Sequence, residues 1–499
     1  MRAFNFHYPV ETIFLGIKLM VYGLVSLRGA ERCFHIFSHY FDGGIPCYGT
    51  IQNWVLTLGL FQLTKPNEYR NDWIYIVDFT IQLGVKKCLV VLGTTREQLL
   101  RSGYRLSHHD VTVLRIAVTT KTSGQMVYDV LESLTSETGL PKQILSDHGA
   151  DVKKGIDMFC ARHENIVYTY DITHKVGIHL KHVLIGDERW QDFIQLCCQT
   201  KRKTAQSQAG FLAPPKPKEK ARWLNFDVFV HWAEKVIAWQ YKEQFEMINP
   251  SYCLTTPTFD ILHKNGLSQL AEVLLPLSDV VFINAQSFID AIQKICPFQR
   301  IEPYTDLLLR YGSCGRRAFE QYFGWLNEFT DELYEWRIML NVLECAKHEV
   351  KCNGLDHMTP ENFRKKIFPK AKTVSKALII ASELHAFLTQ QAAKIPVGVT
   401  CLGTSDIIES VFGKYKGFSA RCALKDIGKM ILLMPVFTTT LTAGLIKNAM
   451  EKYRVQDIRI WLNETLGTSL FSKRKLAFGS WSEKQEKKIQ NILPKVVQI

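Results

Sequence analysis

The period of the apolar positions changes twice along the chain. Residues 10–26, VETIFLGIKLMVYGLVS, and residues 28–40 carry apolar side chains at helical spacing and predict two helices. A third is predicted over 50–60, where Ile51, Trp54, Val55 and Leu58 fall at i, i+3, i+4 and i+7, which turns Gln52, Asn53 and Thr57 outward. After the polar stretch TKPNEYRND the pattern becomes that of strands: WIYIVDFTI (73–81), VKKCLVVLG (85–93) and VTVLRIAVT (111–119) are β-branched and aromatic. A helix follows over 123–139, with Ser123 as cap and Gly139 as terminator, then short strands QILSDHG (143–149) and NIVYTYD (165–171). From about 176 to 393 strand signals nearly vanish and helical spacing takes over.

Within this order two acids stand out. Asp78 lies inside the first strand and Asp147 just beyond the fourth. A third, Glu409, lies in TSDIIESVFGKYKG, where Ile407, Ile408, Val411 and Phe412 form an apolar stripe and leave Glu409 and Lys416 on another side, about two turns apart. Thr404 or Ser405 is the expected cap of that helix.

Composition narrows the class. A chain of 499 residues with 46% hydrophobic and 22% charged residues is folded, and its length predicts roughly two to four structural units. The net charge of +13 fits a polyanionic partner or a solvated basic surface. Thirteen scattered cysteines without a cleavable signal segment predict reduced thiols in a cytoplasmic protein, associated with the nucleoid in a bacterium. The apolar run at 430–446 is interrupted by Pro435 and four threonines, so a core helix is expected and no membrane partner.

One carboxylate in a strand, one at the end of a neighbouring strand and one on a helix suit a two-metal phosphoryl-transfer site. Three such groups repel by roughly 4 kcal/mol per pair at 4 Å and an effective dielectric of 20, so their convergence needs a cation. Mg²⁺, with Mn²⁺ as a substitute, prefers such hard oxygen ligands. The bland alternatives are a buried ion pair for Asp78, a turn cap for Asp147 with Asp151 as competitor, and a solvated helical side chain for Glu409 with Asp406 as rival.

The local matches IVDFT, ILSDHGADVKKG and SDIIESVFGKYKG, in the order strand, strand, strand, helix, strand, strand, resemble the RNase H-like domain of DDE transposases. YDITHK, with Asp171 and His174, resembles the (C/D)xxH element found between the second and third acids of many cut-and-paste transposases. The long helical insertion before the last acid is similar to that of hAT-type and related groups. The resemblance implies that Asp78, Asp147 and Glu409 hold two Mg²⁺ ions while water cuts at a transposon end, after which the freed 3′ hydroxyl attacks target DNA. It further implies double-stranded DNA as partner, with no small-molecule substrate, a homodimer or larger assembly on DNA, Asp171 and His174 close to the active site, and Lys414 and Lys416 near the scissile phosphates.

The expected fold is α/β: an RNase H-like mixed sheet flanked by helices, interrupted by a large all-α insertion and preceded by a bundle that resembles a helix-turn-helix module. The expected divisions are a DNA-binding bundle over 1–65, the first part of the catalytic domain over 70–180, the insertion over 181–395, the last part of the catalytic domain over 396–450 and a basic tail over 451–499. Thr50, Gln52 and Asn53 are the expected DNA-reading residues of the bundle, since the two amides can pair with an adenine edge. Two features depart from the usual module: a long FDGGIPCY connection and no Lys or Arg from Cys33 through Thr64.

Other clusters have weaker claims. Cys345, His348, Cys352 and His357 have a spacing that could close a tetrahedral zinc site, or three of them could stripe one helix face. The runs KRK (201–203), FRKK with KAK (363–372) and SKRK (472–475) suit either DNA backbone or solvent. Trp232, Trp239, Trp325 and Trp336 fit core packing first, and stacking on an unpaired base second.

Overall fold

The computed structural model describes residues 3–4, 6–40, 44–217, 225–240, 252–282, 284–296, 302–312, 320–421 and 424–479. The chain divides into two compact units. One comprises residues 1–175, 347–362 and 386–499, and the other residues 176–346 and 363–385.

The first unit is built on a five-stranded mixed sheet: β1 (Trp73–Ile81), β2 (Lys87–Thr95), β3 (Thr112–Thr119), β4 (Gln143–Ser146) and β5 (Val167–Tyr170). The spatial order is β3-β2-β1-β4-β5. The first three strands pair antiparallel, and β4 and β5 add parallel to β1. All five were legible in the sequence, the first three as β-branched and aromatic runs, and the mixed α/β class with its large helical regions is as expected. Alternation assigns Ile74, Ile76, Val90 and Leu145 to one face, and Tyr75, Val77, Val91 and Ile144 to the other.

The second face is covered by α4 (Gly124–Thr138) and α5 (Ala150–Arg162), through Val127, Leu131, Ile156 and Phe159. The first face packs on a larger layer. It contains the N-terminal helices α1 (Val10–Val21), α2 (Leu27–Ile36) and α3 (Tyr48–Thr64), together with α6 (Asp406–Ser419), α7 (Leu433–Phe437), α8 (Ala443–Lys452) and α9 (Val455–Thr465).

Here the structure differs from the sequence reading. The first 65 residues share this core with the sheet instead of standing apart. The helix α3 is buried on almost every side: Thr57, expected outside, is 3% exposed, and a Cβ on Gly59 would lie 2.0 Å from the Leu432 carbonyl oxygen. A helix apolar all round is a central helix, and its contacts with α7, α8 and α9 come from residues 370 or more positions later. The tail beyond 451 also begins inside this unit, since α9 packs on α3 and a further helix, α10 (Leu470–Ala477), starts with the Leu470 amide donating to Asp426 Oδ2 at 2.8 Å. Residues 480–499, the rest of the expected basic tail, lie outside the described residues.

The apolar run at 430–446 is core as expected, but it forms a short turn, α7 and the start of α8 instead of one helix. No helix among the described residues is long and apolar enough to cross a membrane. Every described cysteine is a free thiol.

The second unit is helical. Its core stacks Trp190, Phe193, Phe229, Phe329 and Trp336, with Trp190 and Trp336 edge to face at 5.0 Å. Trp336 is fully buried, and the indole N–H groups of Trp325 and Trp232 donate to Thr200 and Leu212, so three of the four insertion tryptophans serve packing. The insertion is smaller than the 181–395 expected. Residues 347–362 and 386–395 belong with the sheet, where Leu355 bridges to Cys401 and the Gln391 side chain accepts the Tyr170 amide at 3.0 Å.

Candidate active site

The sheet register brings three aspartates into one row. The parallel ladder of β1 and β4 ends at Val77 opposite Ser146, and that of β4 and β5 at Ser146 opposite Tyr170. The next residue on each chain is Asp78, Asp147 and Asp171. Neighbouring strands lie about 4.8 Å apart, so the three backbones are adjacent at the carboxyl ends of parallel strands, where α/β sheets form their ligand crevices. The pleat puts all three on the face that carries α6.

The members of the row differ in environment. Asp78 and Asp147 are half-buried. Asp78 Oδ1 accepts the Phe79 amide at 2.7 Å, and Asp147 Oδ1 accepts the Gly149 amide at 3.0 Å. Asp171 is fully buried. Its Oδ2 accepts the Ser405 hydroxyl at 2.9 Å, and its Oδ1 accepts the Thr173 amide at 3.0 Å and the Ser405 amide at 3.4 Å. The chain on each side is fixed too, because the Ile172 amide donates to the Gly403 carbonyl.

These bonds anchor the start of α6 at the end of β5. Ser405 is its N-cap, and its hydroxyl is given to Asp171 instead of to the helix's own amides. From there α6 packs on β1, and near its end Ser419 exchanges hydrogen bonds with Gln82 just past β1. The helix therefore crosses from β5 toward β1. Glu409 stands four residues in, about 6 Å along the axis, or roughly one strand spacing from Asp171 toward Asp147 and Asp78.

Asp406, the rival acid, is engaged elsewhere: it is paired with Lys351 and accepts the Thr173 hydroxyl at 3.2 Å. Lys416 lies two turns beyond Glu409 on the same side and is exposed. Lys414 is set apart, over the Phe437 ring and near His108, and burial lowers its pKa. Asp151 accepts the Thr122 hydroxyl at 2.5 Å, away from the row. His174, in the first turn of the helix Ile172–Ile185, has its ring 5.8 Å from that of Tyr170.

Sequence reading missed His148, although SDHG placed it beside Asp147. It adopts a left-handed backbone with φ of 57°, and its ring stacks on Tyr170 at 4.0 Å and 7°. Burial first, then Lys394 and Lys153, push its pKa down to about 4, so it is neutral at pH 7. The outward-facing amides of α3 also need correcting: Gln52 is half-buried, with Lys429 Nζ donating to its Oε1 at 2.6 Å. Thr50 and Asn53 are half-buried as well.

Among the described residues, no group of three or more His, Cys, Asp or Glu side chains is arranged to hold a metal ion. This covers Cys345, His348, Cys352 and His357, of which Cys352 takes an Arg105 N–H and His357 Nε2 donates to the Ile395 carbonyl at 2.7 Å.

The chain matches no family model and no curated protein. Among solved structures it is similar to the Drosophila P element transposase strand transfer complex, with 10% identity, 90% of this chain and 93% of that chain covered, and a TM-score of 0.31. At that score the likeness does not fix the fold; strand order and register do.

Proposed function

We propose that this chain is a DDE-type DNA transposase that binds transposon terminal repeats, cuts at their ends and transfers the freed strand to target DNA. The observation that carries this reading is the placement of Asp78 and Asp147 side by side at the carboxyl ends of β1 and β4, beneath the helix that bears Glu409.

The donor set suits Mg²⁺ or Mn²⁺ in type: three carboxylates, all hard oxygen ligands, two at strand ends of the sheet and one on the helix that packs on β1. Asp78, Asp147 and Glu409 would hold the ions. Bound there, divalent ions supply a nucleophile at neutral pH and charge stabilisation for a leaving 3′ oxygen. The chain's own residues supply the frame. Asp171 fixes the start of α6 and so the height of Glu409 above the strands, while Lys351 holds Asp406 away from the acids. Lys416 offers its cation to a strand phosphate along the same side of α6, and Lys414 reaches one only by leaving Phe437. Thr50 and Asn53 are the base-reading candidates at the start of α3; Gln52 joins them only by exchanging its bond to Lys429.

The test is cleavage of a labelled inverted-repeat duplex in Mg²⁺ by the full chain. Asp78→Asn, Asp147→Asn and Glu409→Gln are each expected to lower it by roughly a thousandfold, the several kcal/mol a metal site contributes. Cleavage untouched by all three substitutions overturns the site.

A second reading is a DNA-binding protein descended from such an enzyme and without chemistry. It is favoured by the absence, among the described residues, of a ready metal-holding group. Binding of the duplex with no metal-dependent cut supports it. An RNase H-like nuclease or resolvase would cut without yielding strand-transfer products.

A further inference from the structure

Between Asp147 and Gly149 the backbone turns left-handed, at His148, with φ of 57°. Apart from glycine, the residues enriched in that conformation are Asn, Asp and His. Of those three only histidine carries a ring, and the ring of His148 lies flat on Tyr170, 4.0 Å away at 7°, with Tyr168 tilted against it at 4.7 Å. The residue type therefore meets two demands at once.

Meeting both leaves a polar atom stranded: Nε2 of His148 is closed off from solvent and makes no hydrogen bond among the described residues, which is unfavourable. Phenylalanine would stack there without that atom but would strain the backbone, and asparagine would suit the backbone but bring no ring. The residue before Asp147 is tied to the same place. The Ser146 hydroxyl accepts the His148 amide at 3.3 Å and lies 2.8 Å from the Tyr168 hydroxyl, so both neighbours of Asp147 are fastened to tyrosines of β5. Tyr168 and Tyr170 lie two apart on one strand and share a face, the one opposite Asp171. On the other side of the turn, Gly149 starts α5 and donates its amide to Asp147 Oδ1 at 3.0 Å. The position of Asp147 is thus set by groups that lie behind the row of acids.

We propose that His148 is a positioning residue: its stack on Tyr170 and its left-handed turn hold Asp147 beside Asp78 and so set the affinity of the acids for a divalent ion. The inference rests on the metal-binding reading of Asp78, Asp147 and Glu409, and adds to it the group that keeps one of them in place.

The experiment measures Mn²⁺ binding to the full chain by calorimetry, together with the Mn²⁺ concentration that gives half-maximal duplex cleavage. The chains compared are the wild type, His148→Ala, His148→Asn, His148→Phe, Asp147→Asn and, as a destabilised control remote from the acids, Gly59→Ala. Groups that orient a metal ligand are typically worth about 10–100-fold in metal affinity, so His148→Ala is expected to bind Mn²⁺ about tenfold or more weakly. His148→Asn, which keeps the turn, and His148→Phe, which keeps the stack, should each recover part of that loss, and Gly59→Ala should bind as the wild type does. Wild-type affinity in His148→Ala, with a loss in Asp147→Asn, overturns the role of His148 and leaves the metal site standing. An equal loss in Gly59→Ala also overturns it, since the effect is then one of general stability. Affinity unchanged in Asp147→Asn, or no binding by the wild type, overturns the metal site and this inference with it. Should His148→Ala fail to fold, His148→Asn against the wild type decides, and equal affinity overturns the proposal.

Discussion

Asp171 and Ser405, 234 positions apart, meet in a 2.9 Å hydrogen bond from the serine hydroxyl to the buried carboxylate. The aspartate ends β5 and the serine starts α6, so one bond joins the sheet to the helix that carries Glu409. The Asp171 of the (C/D)xxH-like stretch thus has a physical task apart from any metal: it sets where that helix begins.

That task predicts a stability cost. Asp171→Ala removes the acceptor of three donors and is expected to destabilise the chain by about 2–4 kcal/mol, measured as a lower urea midpoint. Asp171→Asn keeps an acceptor oxygen for Ser405 and should lose less. A wild-type midpoint in the alanine variant would show that the bond does not hold the helix.

The two acids of α6 should separate in function. Asp406→Asn breaks the pair with Lys351, an interaction at a half-exposed site worth about 1 kcal/mol or less, and should leave duplex cleavage within a few fold. Glu409→Gln should lower it by roughly a thousandfold. Cleavage assays on both variants decide the assignment, and a reversed order would move the third acid to position 406.

Burial of α3 makes Gly59 a close-approach site. Gly59→Ala places a methyl group against the Leu432 backbone, and the expected loss is about 1–3 kcal/mol, read from thermal or urea unfolding. If α3 were instead a detachable recognition helix, the substitution would be neutral or, by helix propensity, slightly stabilising.

Alkaline stability should respond to Tyr75. Burial is the main cause that raises its pKa, to about 12, while its hydroxyl contacts Thr138 and the Gly139 carbonyl. The neutral phenol is the form the fold prefers, so its contribution is present below the unfolded value near 10 and is lost as pH rises from about 10 to 12. Tyr75→Phe should flatten that part of the stability curve, followed by denaturant midpoints from pH 9 to 12. An unchanged slope would place the alkaline loss on other groups.

The sequence by itself determined the strands, the helix that bears Glu409 and the chemistry of three hard carboxylates, because each is a matter of local period and residue type. WIYIVDFTI reads as β1 from its own composition, and the stripe Ile407, Ile408, Val411 and Phe412 turns Glu409 aside without reference to anything distant. Tertiary structure decided the rest. Asp78 and Asp147 become neighbours only through the parallel pairing of β1 with β4, Asp406 is set apart only by a lysine 55 residues earlier, and α3 is central only because α7, α8 and α9 return to cover it. Its apolar stripe was legible, but a helix hidden on its other sides as well owes that burial to partners far along the chain, and no spacing within residues 48–64 encodes where those partners will be.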